Sequence, residues 1–522
     1  MRTTRREFVA MLLGAPIAYA ACRSHDRALP PGTLLEPGMA RAHALIRDAK
    51  PPVPATWRSV DVAIVGGGVA GLGAAWELRR RGIKDVTVFE LDDVSGGTAR
   101  GGVSEVTPYP WGAHYIVAPQ VEQVELTALL DEMGAIEGTA GDGTPIVDEA
   151  LRCREPEERV WHLGRWWEGL YLDAGANAGD RAQLAAFRRE IDHWSAWRDP
   201  QGRRAFAIPR SRGTDDPEVT ALDRQSFAAW LDERKLTSPR LRWLCDSACR
   251  DDYALTAAET SAWAGLFYFA ARQRGPGIAS QTVVTWPNGN GALVAQLAKS
   301  ATIEKGVAIV DIADDGTLIG VGPAGPIGIH ARAVIVATPS FVANRIVASR
   351  RGSSLGTADY GAWVVANVHL RERPEERGHG APPAWDNVFR DSPSLGYVCA
   401  THQRGRDRGP TVWTWYYPFS DADPAAVRKR LAGAGHAEWA ETIVTDLERA
   451  HPDARSKIEH IDVAFWGHGM IRPRVGAPCG AERLARIAPH GAVHFAHTDL
   501  SGIALFEEAF DHGLRAAREI AA

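Results

Sequence analysis

The 522-residue sequence predicts an α/β protein. A Rossmann-like dinucleotide-binding domain is assembled from separated pieces of chain, and an α+β substrate domain is threaded between them. Three observations predict this. An apolar strand, a glycine turn and a helix follow one another from Asp61. A second strand–Gly-turn–helix closes the chain near Ala522 and can return to the same sheet. The long stretch between them mixes strand and helix patterns but contains no second nucleotide-binding unit.

Residues 1–21 read as a targeting segment. Thr4-Arg5-Arg6-Glu7-Phe8-Val9 has the twin-arginine pattern, and the apolar stretch after it is too short to span a membrane. This names the Tat export machinery as a partner and implies a periplasmic or exported location. Cleavage near Ala20 and a lipoprotein anchor through Cys22 are both open. Residues 23–58, with Pro30-Pro31, Pro37, Pro51-Pro52 and Pro54, read as an extended tether.

Residues 61–65 (DVAIV) form a short apolar strand that stops at Gly66-Gly67-Gly68. The pattern turns helical from Gly71, and 85–90 is a second strand ending in Glu90. Gly66 permits the tight turn, Gly68 lets backbone approach a pyrophosphate, and Gly71 lets helix lie close on strand. The helix N-terminus offers unpaired N–H groups to phosphate. Glu90 is placed to accept from a ribose 2′-OH, and an acid there disfavours a 2′-phosphate. A second GxGxxG match at 320–325 follows the turn Asp314-Asp315-Gly316 and leads into more strand, so it reads as a hairpin.

Beyond the fingerprint, 112–115 is expected to begin a strand, with Gly112 allowing close approach to something flat. A hairpin is expected at 160–171, turning at Gly164. Helices are expected at 121–133, 181–197, 226–234 and 240–249, and a capping box at Thr256-Ala257-Ala258-Glu259 opens another that runs to Arg272. A turn at 285–291 precedes a helix at 292–299. Strands at 306–312, 317–321 and 327–329 form a meander, and 334–339 is a buried strand stopped by Pro339. More strands are expected at 362–370, 395–401, 411–417 and 458–466, with a helix at 436–449. Trp385-Asp386-Asn387 begins an exposed polar–aromatic patch. The tail has a strand at 493–496, a polar turn at 498–502 and an amphipathic helix from Ser501. The domain bounds follow: nucleotide domain at 59–118, 285–346 and 490–522, substrate domain at 119–284 and 347–489.

Composition narrows the function. A net charge of −5 gives no electrostatic reason to expect nucleic acid. Six cysteines show no CxxC pair and no Cys/His cluster at zinc spacing, so no metal site is expected. Eighteen tryptophans suit either a pocket for an aromatic or apolar small molecule or a Trp-rich core. His114 can act as a base or as a polariser, or simply as a hydrogen-bonded strand residue. Asp252, beside Asp251 and Tyr253, and Trp385 and Asn387 are the other catalytic candidates, with solvated loop as the alternative. Phe267, Tyr268 and Phe269 read as helix core.

These features together resemble the superfamily of FAD-dependent amine oxidases, protoporphyrinogen oxidases and phytoene desaturases. The resemblance rests on 61–102 with Ser95-Gly96-Gly97, on Gly306-Val307 with 334–339, and on 493–521. It implies FAD as cofactor, with Gly66, Gly68 and Gly71 at the pyrophosphate and Glu90 at the adenosine ribose. Gly97 and Arg100 would lie along the flavin and its phosphates, the backbone of Val307 against adenine, and Asp499 and Gly502 at the ribityl or pyrimidine end. Thr98 stands where many amine oxidases carry arginine, and Asp499 where several relatives carry glutamate. The implied function is an exported oxidoreductase taking a hydride from an organic substrate, by amine oxidation or C–C desaturation, onto flavin N5. Oxygen or a quinone-like carrier would then receive the electrons. A redox-silent flavin-fold binding protein and an NAD-dependent dehydrogenase are the alternatives.

Overall fold

The computed structural model describes residues 28–47, 50–273, 275, 277, 283–351, 358–376 and 380–522. The twin-arginine segment and Cys22 lie outside them. No helix among the described residues is long and apolar enough to cross a membrane.

Val62, Ala63 and Ile64 have no exposed surface, as a parallel strand covered on both faces requires. Their strand, Thr56–Val65, pairs in parallel with Val86–Glu90 on one side and Gly325–Val336 on the other. The full order is Thr302–Lys305, Val86–Glu90, Thr56–Val65, Gly325–Val336, Thr317–Gly322, Ala308–Ile312. Val493–Phe495 adds in parallel to the second half of Gly325–Val336, whose first half pairs with Thr317–Gly322. The two strands expected at 327–329 and 334–339 are therefore one. Each half has its own partner, and nothing between them interrupts the ladder. The second GxGxxG match is a hairpin, with Gly322 facing Gly325 across Pro323-Ala324.

The two ends of the chain meet on this sheet. The helices Val69–Arg80 and Phe506–Ala521 lie so close that a Cβ on Gly513 would stand 2.2 Å from the Ala70 carbonyl oxygen. A Cβ on Gly73 would stand 2.8 Å from the Phe510 ring.

The second sheet runs Leu34–Leu35, Ile458–Ile471, Tyr360–Leu370, Thr411–Pro418, Gly396–Cys399, Asp386–Phe389, Glu158–His162, Arg165–Glu168. The helix His436–Leu447 packs Trp439, Ile443, Val444 and Leu447 on one face of it. The other face meets the nucleotide domain. There Asn367 Nδ2 donates to Pro110 O (3.1 Å), Trp466 Nε1 to Trp111 O (2.8 Å) and Tyr416 OH to Gly112 O (2.8 Å). A helical layer of Ala178–Ala196, Phe227–Glu233, Pro239–Tyr253 and Ala262–Ala270 encloses Phe187, Trp230 and Trp263.

Three local expectations are corrected. The stretch read as a tether is docked where described: Leu34–Leu35 pairs with Val463 and Ala464, and Thr56 onward is sheet. The capping box at Thr256 starts no helix, because Asp246 takes the Ala257 N–H (2.8 Å) and the chain turns until Ser261 caps Ala262–Ala270. Residues 112–115 are not strand; pairing begins at Ile116–Val117.

Candidate active site

The turn after Thr56–Val65 puts Gly66 at φ +109°, where a Cβ would meet the Ala337 carbonyl oxygen at 2.6 Å. A Cβ on Gly71 would stand 2.0 Å from the Gly66 oxygen, so helix and turn touch there. Gly68 is different: a Cβ placed on it meets nothing within 4 Å. Open space therefore lies over this backbone at the N-terminus of Val69–Arg80, where phosphate binds best. Gly96 N–H donates to Gly67 O (2.7 Å), and a Cβ on Gly97 would lie 3.6 Å from Gly68 Cα. Two glycine turns thus form one floor of main chain, and it fits a dinucleotide pyrophosphate.

Glu90 closes the floor. Its carboxylate accepts from Gly67 N–H and Asp92 N–H, both at 2.8 Å. Burial raises its pKa against those bonds. Each oxygen keeps a lone pair for a sugar hydroxyl. Arg100 donates to Asp92 (3.0 Å) and to Gly97 O (3.2 Å), and its guanidinium lies 5.1 Å from the Trp466 ring centre. It thereby braces the second glycine turn against the large sheet. Val307 N–H donates to Glu90 O at 2.9 Å, which ties the backbone expected against adenine to the end of the strand that carries Glu90.

Val493–Phe495 and Thr56–Val65 flank Gly325–Val336. The turns carrying Asp499 and Gly68 therefore leave the same sheet end, two strand spacings or about 10 Å apart. That is the crevice in which open α/β sheets bind ligands. Asp499 itself is 1 % exposed: Oδ2 accepts from Ser340 N–H (2.7 Å) and from Tyr360 OH, and Oδ1 lies 2.9 Å from His497 Nδ1. Burial alone would raise its pKa, but His497 and these hydrogen bonds hold it at about 2. Asp499 thus joins chain segments through Oδ2, while its buried Oδ1 has no hydrogen-bond partner among the described residues. Gly502, at φ +79°, packs against Pro478, with 3.5 Å from a Cβ placed on it to Pro478 Cα, and bonds to Thr498 O.

On the substrate side, His114, Asp252 and Trp385 are brought together. The half-buried His114 ring lies 4.9 Å from Tyr416, 5.2 Å from Tyr115 and 5.3 Å from Trp385. Desolvation pulls its pKa to about 4 despite the Gly112 carbonyl at 3.4 Å, so it is neutral at pH 7. Asp252 receives a hydrogen bond from Arg272 Nη2 (2.8 Å), and the same nitrogen reaches Tyr115 OH at 3.1 Å. Gly112 does approach something closely, but that is the Thr98 carbonyl, 2.2 Å from a Cβ built on Gly112.

Trp385 is buried, so the patch expected at 385–387 is not exposed. Asn387 takes no part in the cluster: Oδ1 accepts from Arg159 Nε (2.5 Å) and Nδ2 donates to Ala384 O (2.9 Å). Alternation along the strand turns it to the face opposite Asp386. Tyr253 OH is spent on Ala264 O (2.9 Å).

The acids that surround these rings carry little local signal. Asp386 sits beside Glu158 across a parallel strand pair, and Asp251 lies near both. Burial, then Asp251 and Glu158, pushes Asp386 well above the usual carboxylate range. Burial with Glu157 and Asp251 pushes Glu158 to about 7, and burial raises Asp251 and Asp252. Asp251, Asp386 and Glu158 all keep some exposed surface, so solvent reaches the cluster. Arg272 is the cation facing them, and Asp252 holds it. The polar–aromatic run Trp385-Asp386-Asn387 was the available signal for Asp386; Glu158, Arg272, Tyr115 and Tyr416 belong to no local motif.

Comparison with known proteins agrees with this architecture. Residues 64–133 match the family model described as an NAD(P)-binding Rossmann-like domain. The chain is 35% identical over 121 residues to an acrylate reductase flavoprotein subunit of Shewanella woodyi, covering 23% of this chain and 21% of that one. It is 40% identical over 73 residues to protoporphyrinogen oxidase 2 of Arabidopsis thaliana, 14% of each chain. These matches thus span about a fifth and a seventh of those relatives. Putrescine oxidase bound to putrescine superposes with a TM-score of 0.64 at 19% identity, over 89% of this chain and 99% of that one. Cyclohexylamine oxidase from Brevibacterium oxydans gives 0.60 at 18% identity, with the same coverage. The chain has their fold. A fatty acid isomerase from P. acnes shares it as well, with a TM-score of 0.61 at 14% identity over 88% of this chain and 98% of that one, so the fold alone names no reaction.

Proposed function

We propose that the protein is an exported FAD-dependent oxidoreductase that binds an amine as its ammonium ion and, once that is deprotonated, removes a hydride from the carbon next to the nitrogen. The observation that carries the substrate class is the recess of Asp251, Asp386 and Glu158 around the Tyr115, Trp385 and Tyr416 rings. Its facing cation, Arg272, is already paired with Asp252. Such a site is short of positive charge, and aromatic faces favour a cation as well.

Gly66, Gly68, Gly71, Gly97 and Glu90 would hold the adenine dinucleotide half. The bound flavin supplies a two-electron acceptor at N5. The chain's own groups do the rest. The carboxylates bind the ammonium, one of them takes its proton, and the rings position the C–H bond and exclude water. Deprotonation frees the nitrogen lone pair to form the C=N bond as the adjacent carbon gives up its hydride; the flavin would supply the acceptor, and oxygen or a quinone-like carrier would take the electron pair from it. The neutral His114 stands close enough to orient the neutral amine by accepting a hydrogen bond. The Arg5-Arg6 pair supports Tat export of the folded, loaded protein.

Anaerobic reduction of the purified yellow protein tests the reading. Bleaching by primary mono- and diamines is expected, with Asp386→Asn raising KM by about 10- to 100-fold, the worth of a charged hydrogen bond. Bleaching by apolar polyenes but not by amines would overturn the substrate class. Colourless protein would overturn the cofactor, and a yellow protein that no donor bleaches would indicate a binding role.

A further inference from the structure

Away from that recess, three side chains of metal-binding type meet on the large sheet. His369 lies directly opposite His460 across the antiparallel pair Tyr360–Leu370 and Ile458–Ile471, and Asn367 lies opposite Asp462. Residues two apart share a strand face, so both imidazoles and the Asp462 carboxylate project together. Their ligand atoms lie within 4.8 Å of one another, and each histidine Nε2 is 3.7 Å from Asp462 Oδ2.

Two further observations point to a ligand. His369 is 4 % exposed, and its Nε2 has no hydrogen-bond partner. A buried ring nitrogen aimed at a carboxylate and left unpaired is costly unless something occupies the gap. Asp462 Oδ1 accepts from both Thr33 N–H (3.0 Å) and Thr33 Oγ1 (2.6 Å). Those bonds fix the carboxylate with Oδ2 turned to the rings, as outer partners do for metal ligands. The two rings stack face to face, with their centres 3.9 Å apart.

We propose that His369, His460 and Asp462 bind one divalent transition-metal ion, with Zn²⁺ the cation this ligand set suits. Two imidazoles and a carboxylate leave a fourth position for water. Ligand atoms about 2.0–2.2 Å from a tetrahedral ion stand about 3.3–3.5 Å apart. The two Nε2–Oδ2 spacings of 3.7 Å close by a few tenths of an ångström, and a turn of the half-exposed His460 ring out of its stack on His369 is what brings the two ring nitrogens to converge on one ion. The ion would pin two long strands together and, through Asp462 and Thr33, fasten Leu34–Leu35 to the sheet. It involves no group of the amine recess.

The test uses the full-length protein, stripped with EDTA, dialysed and titrated with Zn²⁺ alone by calorimetry and by metal quantification after equilibrium dialysis. One tight equivalent per chain is expected, with affinity at least tenfold weaker in His460→Ala and in Asp462→Asn. His460 is half-exposed, so its variant keeps the fold, checked by an unchanged circular dichroism spectrum. Protease cleavage within 28–47 is expected to slow with Zn²⁺ in the wild type and not in His460→Ala. Absence of a tight equivalent in the wild type, or an unchanged titration in both His460→Ala and His369→Ala, overturns the site.

Discussion

Gly68 and Gly71 stand three residues apart and answer to different constraints. A methyl group at 71 collides with the Gly66 carbonyl, whereas one at 68 points into open space. Gly71→Ala is expected to cost about 1–3 kcal/mol of stability as the turn is forced apart. Gly68→Ala is expected to melt like the wild type yet release flavin, seen as lost absorbance after gel filtration. Asp499 gives a pH prediction. Its folded pKa of about 2 lies below the ordinary 3.8, so its stabilisation is complete above pH 3.8 and lost as pH falls towards 2. That contribution is about 2 kcal/mol, and denaturant titrations of Asp499→Asn should lack the component. The glycines and Glu90 were legible because their reasons are local, set by turn, helix and strand within thirty residues. Glu158, Arg272 and His369 were not, since each owes its place to partners on distant strands or helices. Asn387 misled for the opposite reason: one residue from Asp386, it faces the other way.

At the scale of elements, periodicity gave the strands and helices, and pairing decided where they end. The strand Gly325–Val336 is continuous because two different partners share its length. No reading of its own residues contains that fact. The Thr256 capping box failed because Asp246, on the preceding helix, captured the nearby N–H. The helix pair Val69–Arg80 and Phe506–Ala521 makes a prediction at this scale. Gly513→Val drives a side chain into the Ala70 carbonyl and should separate the helices. A loss of about 3 kcal/mol or more in urea melts, with weakened flavin retention, is expected from overpacking of this kind.

Across the whole molecule, the chain visits the nucleotide sheet three times, and the large sheet is built in the intervals. The recess forms where the two meet, along Gly112, Tyr416 and Trp385. Its acids are raised towards neutrality, so they ionise as pH rises through about 7 for Glu158. Ammonium binding should tighten in the same direction. KM for a cationic amine is expected to fall between pH 6 and 8, and Glu158→Gln should flatten that slope in stopped-flow reduction.

The docking of Leu34–Leu35 on Ile458–Ile471 reaches beyond anchoring. A fourteen-residue border strand with vacant N–H and C=O groups is a template on which another molecule can zip. By lying along part of that border, Leu34–Leu35 guards that late-made strand against self-association. A preparation trimmed before Thr56 should therefore sediment as oligomers even while its colour persists.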